Sequence, residues 1–329
     1  MRRPPPWARV AVIAAVLLVA PLPLNDFRTG LLTEILIFGL LAASLDVLVG
    51  YTGLPSLGHA TYFGVGGYVA ALAARGMTDS APVGLLAATV GALAVAGATG
   101  WLAVRTRGVY FLMLTLAFAQ LLFSLAVTWA PVTGGANGLS VPRFALLPGD
   151  RGLLLDGPLV FYYYVLAAFA LGYFLLHRLV TSPFGRSLVG LRENEARMRS
   201  IGYSVLGYKL AAFCAAGAVG GFAGALFVQH QRFISPTNVS FEISALVLIM
   251  VIMGGSGTLY GPVAGAALVL LIRDELSSRF QHWELLLGLV FIGFVYFLPR
   301  GAAGLLRRAR PAAATAGSIA GAGGQEASL

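Results

Sequence analysis

The 329 residues are 58% hydrophobic and only 11% charged, with a mean hydropathy of +0.84 and a single cysteine. A soluble domain carries roughly a quarter charged residues, and one cysteine closes no internal disulfide, so a soluble core and a disulfide scaffold are both excluded. The net charge of +9 tempts a nucleic-acid reading, which the placement of the charges, set out below, argues against.

In chain order, apolar stretches fall near residues 10–24, 30–49, 60–74, 81–104, 109–130, 159–177, 208–229, 242–253, 261–272 and 283–298. Many approach the roughly 20 residues that cross a bilayer. They predict an all-α, polytopic integral membrane protein with about ten transmembrane helices within residues 1–310. The N-terminal MRRPPPWARVAVIAAVLLVAPLPLN imitates a secretory signal. Its apolar run ends in Ala20-Pro21-Leu22-Pro23 with no A-x-A-like cleavage site, so an uncleaved first helix is expected.

Residues 50–68, GYTGLPSLGHATYFGVGGY, hold Gly50, Gly53, Gly58, Gly64, Gly66, Gly67 and Pro55 between two apolar runs. Unpaired amides are costly in hydrocarbon, so such a breakable backbone belongs where protein shields it or where it lines a cavity. Asp46 flanks this stretch; Glu34 lies in the first turn of its helix, where a carboxylate favours the helix N-terminus. Residues 131–157, rich in Gly and Pro, read as an outside loop serving as a lid, a docking surface or a connector.

Residues 178–207 form the most charged cluster. Within them SLVGLRENEARMRSI sets Leu188, Leu191, Met198 and Ile201 on one stripe, interrupted by Glu195, and Gly202 follows as a left-handed terminator. This predicts a short amphipathic helix that either lies on the membrane surface or offers a knob to a cytoplasmic partner. Cys214 reads as a small apolar residue of a helix. Further on, GGSGTLYGPVAGAA (254–267) echoes the first glycine stretch. Two broken segments in corresponding halves point to a transport pathway near the bilayer midplane. The Ala/Gly/Ser-rich stretch 311–329 is expected to be a disordered cytoplasmic tail.

Basic residues divide by loop. Arg2, Arg3, Arg9, Arg105, Arg107, the cluster from Arg178 to Lys209, and Arg300, Arg307, Arg308 and Arg310 all fall on one side, which holds the larger share. An excess of Lys and Arg marks the cytoplasmic face, so both termini are expected there, and no nucleic-acid partner is needed to explain the charge.

Missing motifs narrow the function. Lys209 is the sole lysine, so no G-x-x-x-x-G-K-[ST] phosphate loop exists. G-x-G-x-x-G fails after Gly64-x-Gly66 and after Gly255-x-Gly257, and H-E-x-x-H and G-x-S-x-G do not occur. His59, His177, His230 and His282 lie on separate segments without ligand spacing, so neither a metal nor a cofactor is expected. The chain reads as a passage whose engine sits in another protein. A self-sufficient channel or ion-coupled carrier for a small polar solute such as urea is the alternative, resting on Asp46 and the glycine breaks.

Four stretches carry a family resemblance: GYTGLPSLGHATYFGVGGYVAAL, SPFGRSLVGLRENEARMRSIGYSVLGYKLAAF continuing into AAGAVGGFAGAL, MGGSGTLYGPVAGAAL, and FLPRGAAGLL. In this order, across roughly residues 30–308, the chain resembles the branched-chain amino-acid permeases of ABC transporters. The resemblance implies a bacterial inner-membrane subunit paired with a second, similar permease. It also implies two cytoplasmic ATP-binding subunits and an extracytoplasmic solute-binding protein. It places the ATPase-coupling element at Arg192, Glu193, Asn194, Glu195, Ala196 and Gly202. Two departures stand out. Glu195 is followed by Ala196 and Arg197 rather than two alanines, with Gly202 seven positions later rather than six. Asp46 stands where the family resembled usually carries asparagine. The candidate substrate pathway comprises Asp46, Tyr51, Thr52, Ser56, Gly58 and His59 with Gly254, Gly255, Ser256, Gly257 and Thr258. Their amides and hydroxyls face a zwitterion or amide in transit, or the glycines serve only as packing contacts.

Overall fold

In a bilayer each backbone amide must be bonded within its own segment, which is why the apolar runs fold as helices. A computed structural model describes residues 15–76, 79–146, 155, 157–279, 282–297, 301 and 304. The expected first helix is represented by a helical stretch at 15–19, and the 311–329 tail lies outside the described residues. Helix α1 (Asp26–Asp46) runs directly into a π-helical turn, Val47–Thr52. There follow α2 (His59–Gly76), α3 (Ala81–Ala103), α4 (Val109–Thr128) and the single turn α5 (Ala130–Thr133). Next come α6 (Pro158–Thr181), α7 (Pro183–Glu193), α8 (Glu195–Ser200) and α9 (Val205–Gln231). Last are α10 (Phe241–Gly254), α11 (Tyr260–Arg279) and α12 (Trp283–Phe297).

Among the described residues five helices are long and apolar enough to cross a membrane: Asp26–Thr52, α3, α4, α6 and α9. The remaining helical segments fall short of that standard for identifiable reasons. Helix α10 has 14 residues, short of the roughly 20 that span a bilayer. Helix α11 carries Arg273, Asp274 and Glu275 toward its end, and Arg273 approaches Glu34 at 3.9 Å.

Helix α1 is the central pole. Of its most apolar window 83% is buried, and α6, α9, α10 and α11 pack around it. Helix α9 wedges against α2 and α3 through small residues: Gly66 faces Gly221, Gly224 faces the Phe63 carbonyl and Gly217 faces Ala96. A methyl at any of these glycines would run into the opposite helix. Helices surrounded by lipid gain their association from such close packing, because chain and solvent are equally apolar. Phe38, Phe63 and Phe227 fill the space between α1, α2 and α9 with ring centroids 5.2–6.0 Å apart.

The two ends of the bundle differ. At one end a two-residue strand β1 (Leu139–Ser140) pairs antiparallel with β2 (Phe233–Ile234), and Ser80 bridges Ala145. Val141, Phe144 and Ala145 are buried there, so the described part of the 131–157 loop is clamped onto the bundle. The opposite end gathers the π turn, the loop at 104–108 and the α7–α8 segment, held by ion pairs described below.

Candidate functional site

The two glycine-broken segments meet. Asp46, the last residue of α1, is fully buried and turns its carboxylate toward the α10–α11 connection. One oxygen accepts from the Gly257 amide at 2.7 Å, the other from the Leu259 amide at 3.3 Å. Gly257 itself has φ +78°, a left-handed conformation that suits glycine. Gly50 makes the approach possible, since a Cβ there would overlap both the Asp46 carboxylate and the Gly257 backbone. The sequence leaves Asp46 as a lone acid without a partner; its partners are backbone amides, which no side-chain pattern records.

The π turn explains how α1 ends here. Hydrogen bonds that span one residue more than in an α-helix, i→i+5, widen the turn, a device found frequently at functional sites. Thr52 returns its hydroxyl to the Val47 carbonyl at 2.6 Å, and Gly53 closes the turn at φ +72°. The following loop is pinned by hydroxyls. Leu57 N–H donates to Thr115 Oγ1 of α4, Gly58 N–H to Ser56 Oγ, and Ala60 N–H to Ser244 Oγ of α10. On the second segment Thr258 Oγ1 donates to the Gly255 carbonyl and accepts from the Gly261 amide, capping the start of α11. Gly254 packs against the Gly261 backbone, whereas Ser256 is exposed and Tyr51 is half-buried.

His59 does not join the Asp46 cluster. It is completely buried, with Nε2 2.8 Å from Ser44 Oγ. The Ser44 hydroxyl hydrogen goes to the Leu41 carbonyl, so the imidazole must donate through Nε2. Nδ1 is then an acceptor with no hydrogen-bond partner among the described residues.

The charged segment expected as one amphipathic helix is two. Asn194 takes an extended conformation (φ −156°, ψ 95°) and its side chain accepts from the Arg197 amide at 2.9 Å, ending α7 and capping α8. Asparagine is among the best N-cap residues, which was the available sequence signal. Leu188 and Leu191 are buried, whereas Glu193, Ala196 and Ile201 are exposed, and Gly202 (φ +90°) terminates α8.

Glu195, read from sequence as the gap in an apolar stripe, is the hub of this end. Lys209 Nζ of α9 lies 2.9 Å away, Arg107 Nη2 2.7 Å and Arg199 Nη2 3.1 Å. Lys209 is only 6% exposed against about 60% for the two arginines, so its bond is the least screened. Burial pushes the Glu195 carboxyl up, but the Lys209 hydrogen bond and the three cations outweigh it and hold the group below the usual carboxylate range. A cleft of about 320 Å³ lined by Arg107, Ala196, Arg199 and Ser200 opens beside it. Two residues before the break at Asn194, Arg192 donates through Nη1 to the Gly50 carbonyl, and its stem lies against Gly53. The charged segment and the junction of the two broken helices are therefore in direct contact.

The profile of a family described as "Branched-chain amino acid transport system / permease component" matches residues 27–297, which takes in every element of this junction. The chain belongs to this permease family. The permease is 31% identical over 332 residues to the high-affinity branched-chain amino acid transport system permease protein LivM of Escherichia coli K12, covering 91% of this chain and 75% of that one. It is 24% identical over 291 residues to the probable branched-chain amino acid transport permease protein LivM of Methanocaldococcus jannaschii, covering 78% and 83%. A shorter likeness, 28% over 124 residues and about a third of each chain, links the permease to the autoinducer 2 import system permease protein LsrC of Yersinia enterocolitica. No solved structure matches the permease.

Proposed function

We propose that the chain is the membrane-spanning subunit of an ATP-driven importer for branched-chain amino acids or related small amino acids and amides. The observation that carries this is the hydrogen bond from Arg192 to Gly50, which ties a charged surface element to the junction of the two glycine-broken segments. In this reading α7 and α8 dock a cytoplasmic ATP-binding subunit, with the Arg107–Ser200 cleft receiving part of it. The end carrying Arg105, Arg107, Arg178, Arg186 and Arg192 faces the cytoplasm, because basic loops remain inside. The opposite end, with the β1–β2 pair, faces the solute-binding protein. About ten segments cross the bilayer, with both termini inside, and a second homologous permease completes the passage.

Nucleotide binding moves the docked helices, Arg192 carries the displacement to Gly50, and Asp46 passes it to Gly257 and α11. Two arrangements of similar energy are all that alternating access requires. An ion-coupled carrier centred on Asp46 finds less support, since both carboxylate oxygens are already engaged by amides. The test is reconstitution of the chain with its companion subunits in sealed vesicles. Uptake of leucine that needs ATP and the binding protein is expected. Sustained uptake by the lone chain without ATP would overturn the reading.

A further inference from the structure

Helix α4 breaks the rule that the other candidate spans obey. Between their terminal turns α1, α3 and α9 expose only apolar side chains, and α6 does so until His177 near its end. The exposed positions of α4 include Tyr110, Met113, Ala117, Gln120, Ser124 and Thr128, spaced by three and four residues and so aligned on one face. From Met113 to Thr128 this face runs about 22 Å at 1.5 Å per residue, most of a bilayer core of ~30 Å. It is also the least buried of the five spans, with 22% of its window covered.

Polar side chains in a span face protein or water rather than lipid tails. A serine or threonine escapes this by bonding a carbonyl of its own helix, as Thr128 does to the Ser124 carbonyl at 2.8 Å. The amide of Gln120, with two donors and an acceptor, has more polar capacity than the helix can absorb. The opposite face of α4 is seated on the junction already described. Thr115 holds the Leu57 amide, and Gly58 has no side chain because the Thr115 carbonyl occupies its place. Helix α4 starts just after Arg107, one of the Glu195 partners. Its inner face is thus continuous with the coupling end while its outer face is left for something polar.

We infer that the Met113–Thr128 face of α4 lines the water-filled passage between this chain and the second permease subunit, with Gln120 and Ser124 touching the charged ends of a zwitterionic substrate as it moves. The inference rests on the importer reading and adds the wall of the passage to it. Ala117 and Ser124 leave room for an aliphatic side chain, Met113 supplies an adaptable apolar contact, and the Gln120 amide can both donate to a carboxylate and accept from an ammonium group.

The test uses the full complex in native membranes, with Cys214→Ala removing the natural thiol. Gln120→Cys and Ser124→Cys are compared with Leu86→Cys and Val90→Cys, which are exposed on α3, for reaction with a membrane-impermeant charged methanethiosulfonate. The α4 variants are expected to react at least tenfold faster than the α3 variants, and saturating leucine to slow them. Equal, negligible reaction at all four positions, with labelling only by a lipid-soluble maleimide, would overturn the inference. Gln120→Leu provides an arm that needs no thiol. Loss of one substrate hydrogen bond raises the KM for uptake roughly threefold to tenfold, in complexes that still co-purify with the ATP-binding subunits; an unchanged KM counts against the assignment. If the unmodified complex shows no ATP-dependent uptake, the importer reading falls, while the labelling contrast still judges the α4 face separately.

Discussion

Arg192 and Gly50 are 142 residues apart in sequence, yet the guanidinium of one donates to the carbonyl of the other. That bond joins the surface helix α7 to the π-helical end of α1, where the carbonyls of a widened turn are free to accept. If it transmits movement, removing it should separate ATP hydrolysis from transport. Arg192→Ala is expected to leave assembly intact and to lower the uptake gained per ATP hydrolysed by at least threefold. Arg192→Lys should rescue only in part, because a flexible, strongly hydrated ammonium replaces the fixed guanidinium N–H that donates to Gly50. Paired ATPase and uptake measurements on the same vesicles decide it.

Gly50 is the narrowest point of the junction. A methyl there meets the Asp46 carboxylate and the Gly257 backbone, neither of which is a free side-chain end. Overpacking of this kind costs about 1–3 kcal/mol, so Gly50→Ala should lower the unfolding midpoint in detergent by several degrees. Gly76→Ala, where nothing lies within 4 Å, is the matched control and should not shift it. Equal midpoints for both variants would show that the two segments are not held this closely.

The helices were legible because crossing hydrocarbon leaves a chain little choice: each apolar run from residue 30 onward overlaps a helix. Two features of the site were not. Asp46 looked unpaired because its partners, the amides of Gly257 and Leu259, lie 211 and 213 residues away and carry no letter of their own. The α7–α8 break at Asn194 was hidden by an apolar stripe that continued past it. Family likeness points to Glu195, but its part as an ionic hub depends on Arg107 arriving from the α3–α4 loop and Lys209 from α9, which spacing along α8 does not reveal.

The same amides set up a graded test at Asp46. Asparagine retains one acceptor oxygen, so Asp46→Asn is expected to keep the Gly257 bond and leave the Leu259 amide, at 3.3 Å the longer of the two, without its partner. Asp46→Leu removes both acceptors. A buried donor without a partner costs roughly 1–3 kcal/mol, so thermal stability and uptake should fall in the order wild type, Asp46→Asn, Asp46→Leu. A carrier that used Asp46 as a proton site would behave differently, with Asp46→Asn as damaging to uptake as Asp46→Leu while stability stayed near wild type.

Glu195 gives a prediction with a pH sign. Its carboxyl is held below the ordinary value of 4.5 in the folded chain, burial opposing and Lys209, Arg107 and Arg199 favouring the charged form. A group whose pKa is depressed by folding contributes stability above its unfolded value, and that contribution is lost as pH falls through the folded value. The anchoring of α8 should therefore be constant from pH 8 down to about 5 and weaken only below 4.5. Hydrogen exchange of residues 195–200, corrected for intrinsic rate, is the readout. Glu195→Gln should raise exchange at pH 7 and make no difference well below pH 4.5. Lys209→Met should matter more than Arg107→Met, because the Lys209 side chain is 6% exposed and that of Arg107 62%, and screening by water weakens the second pair. If exchange in the wild type instead rises between pH 8 and 6, some other titrating group controls the segment and the Glu195 hub is not its anchor.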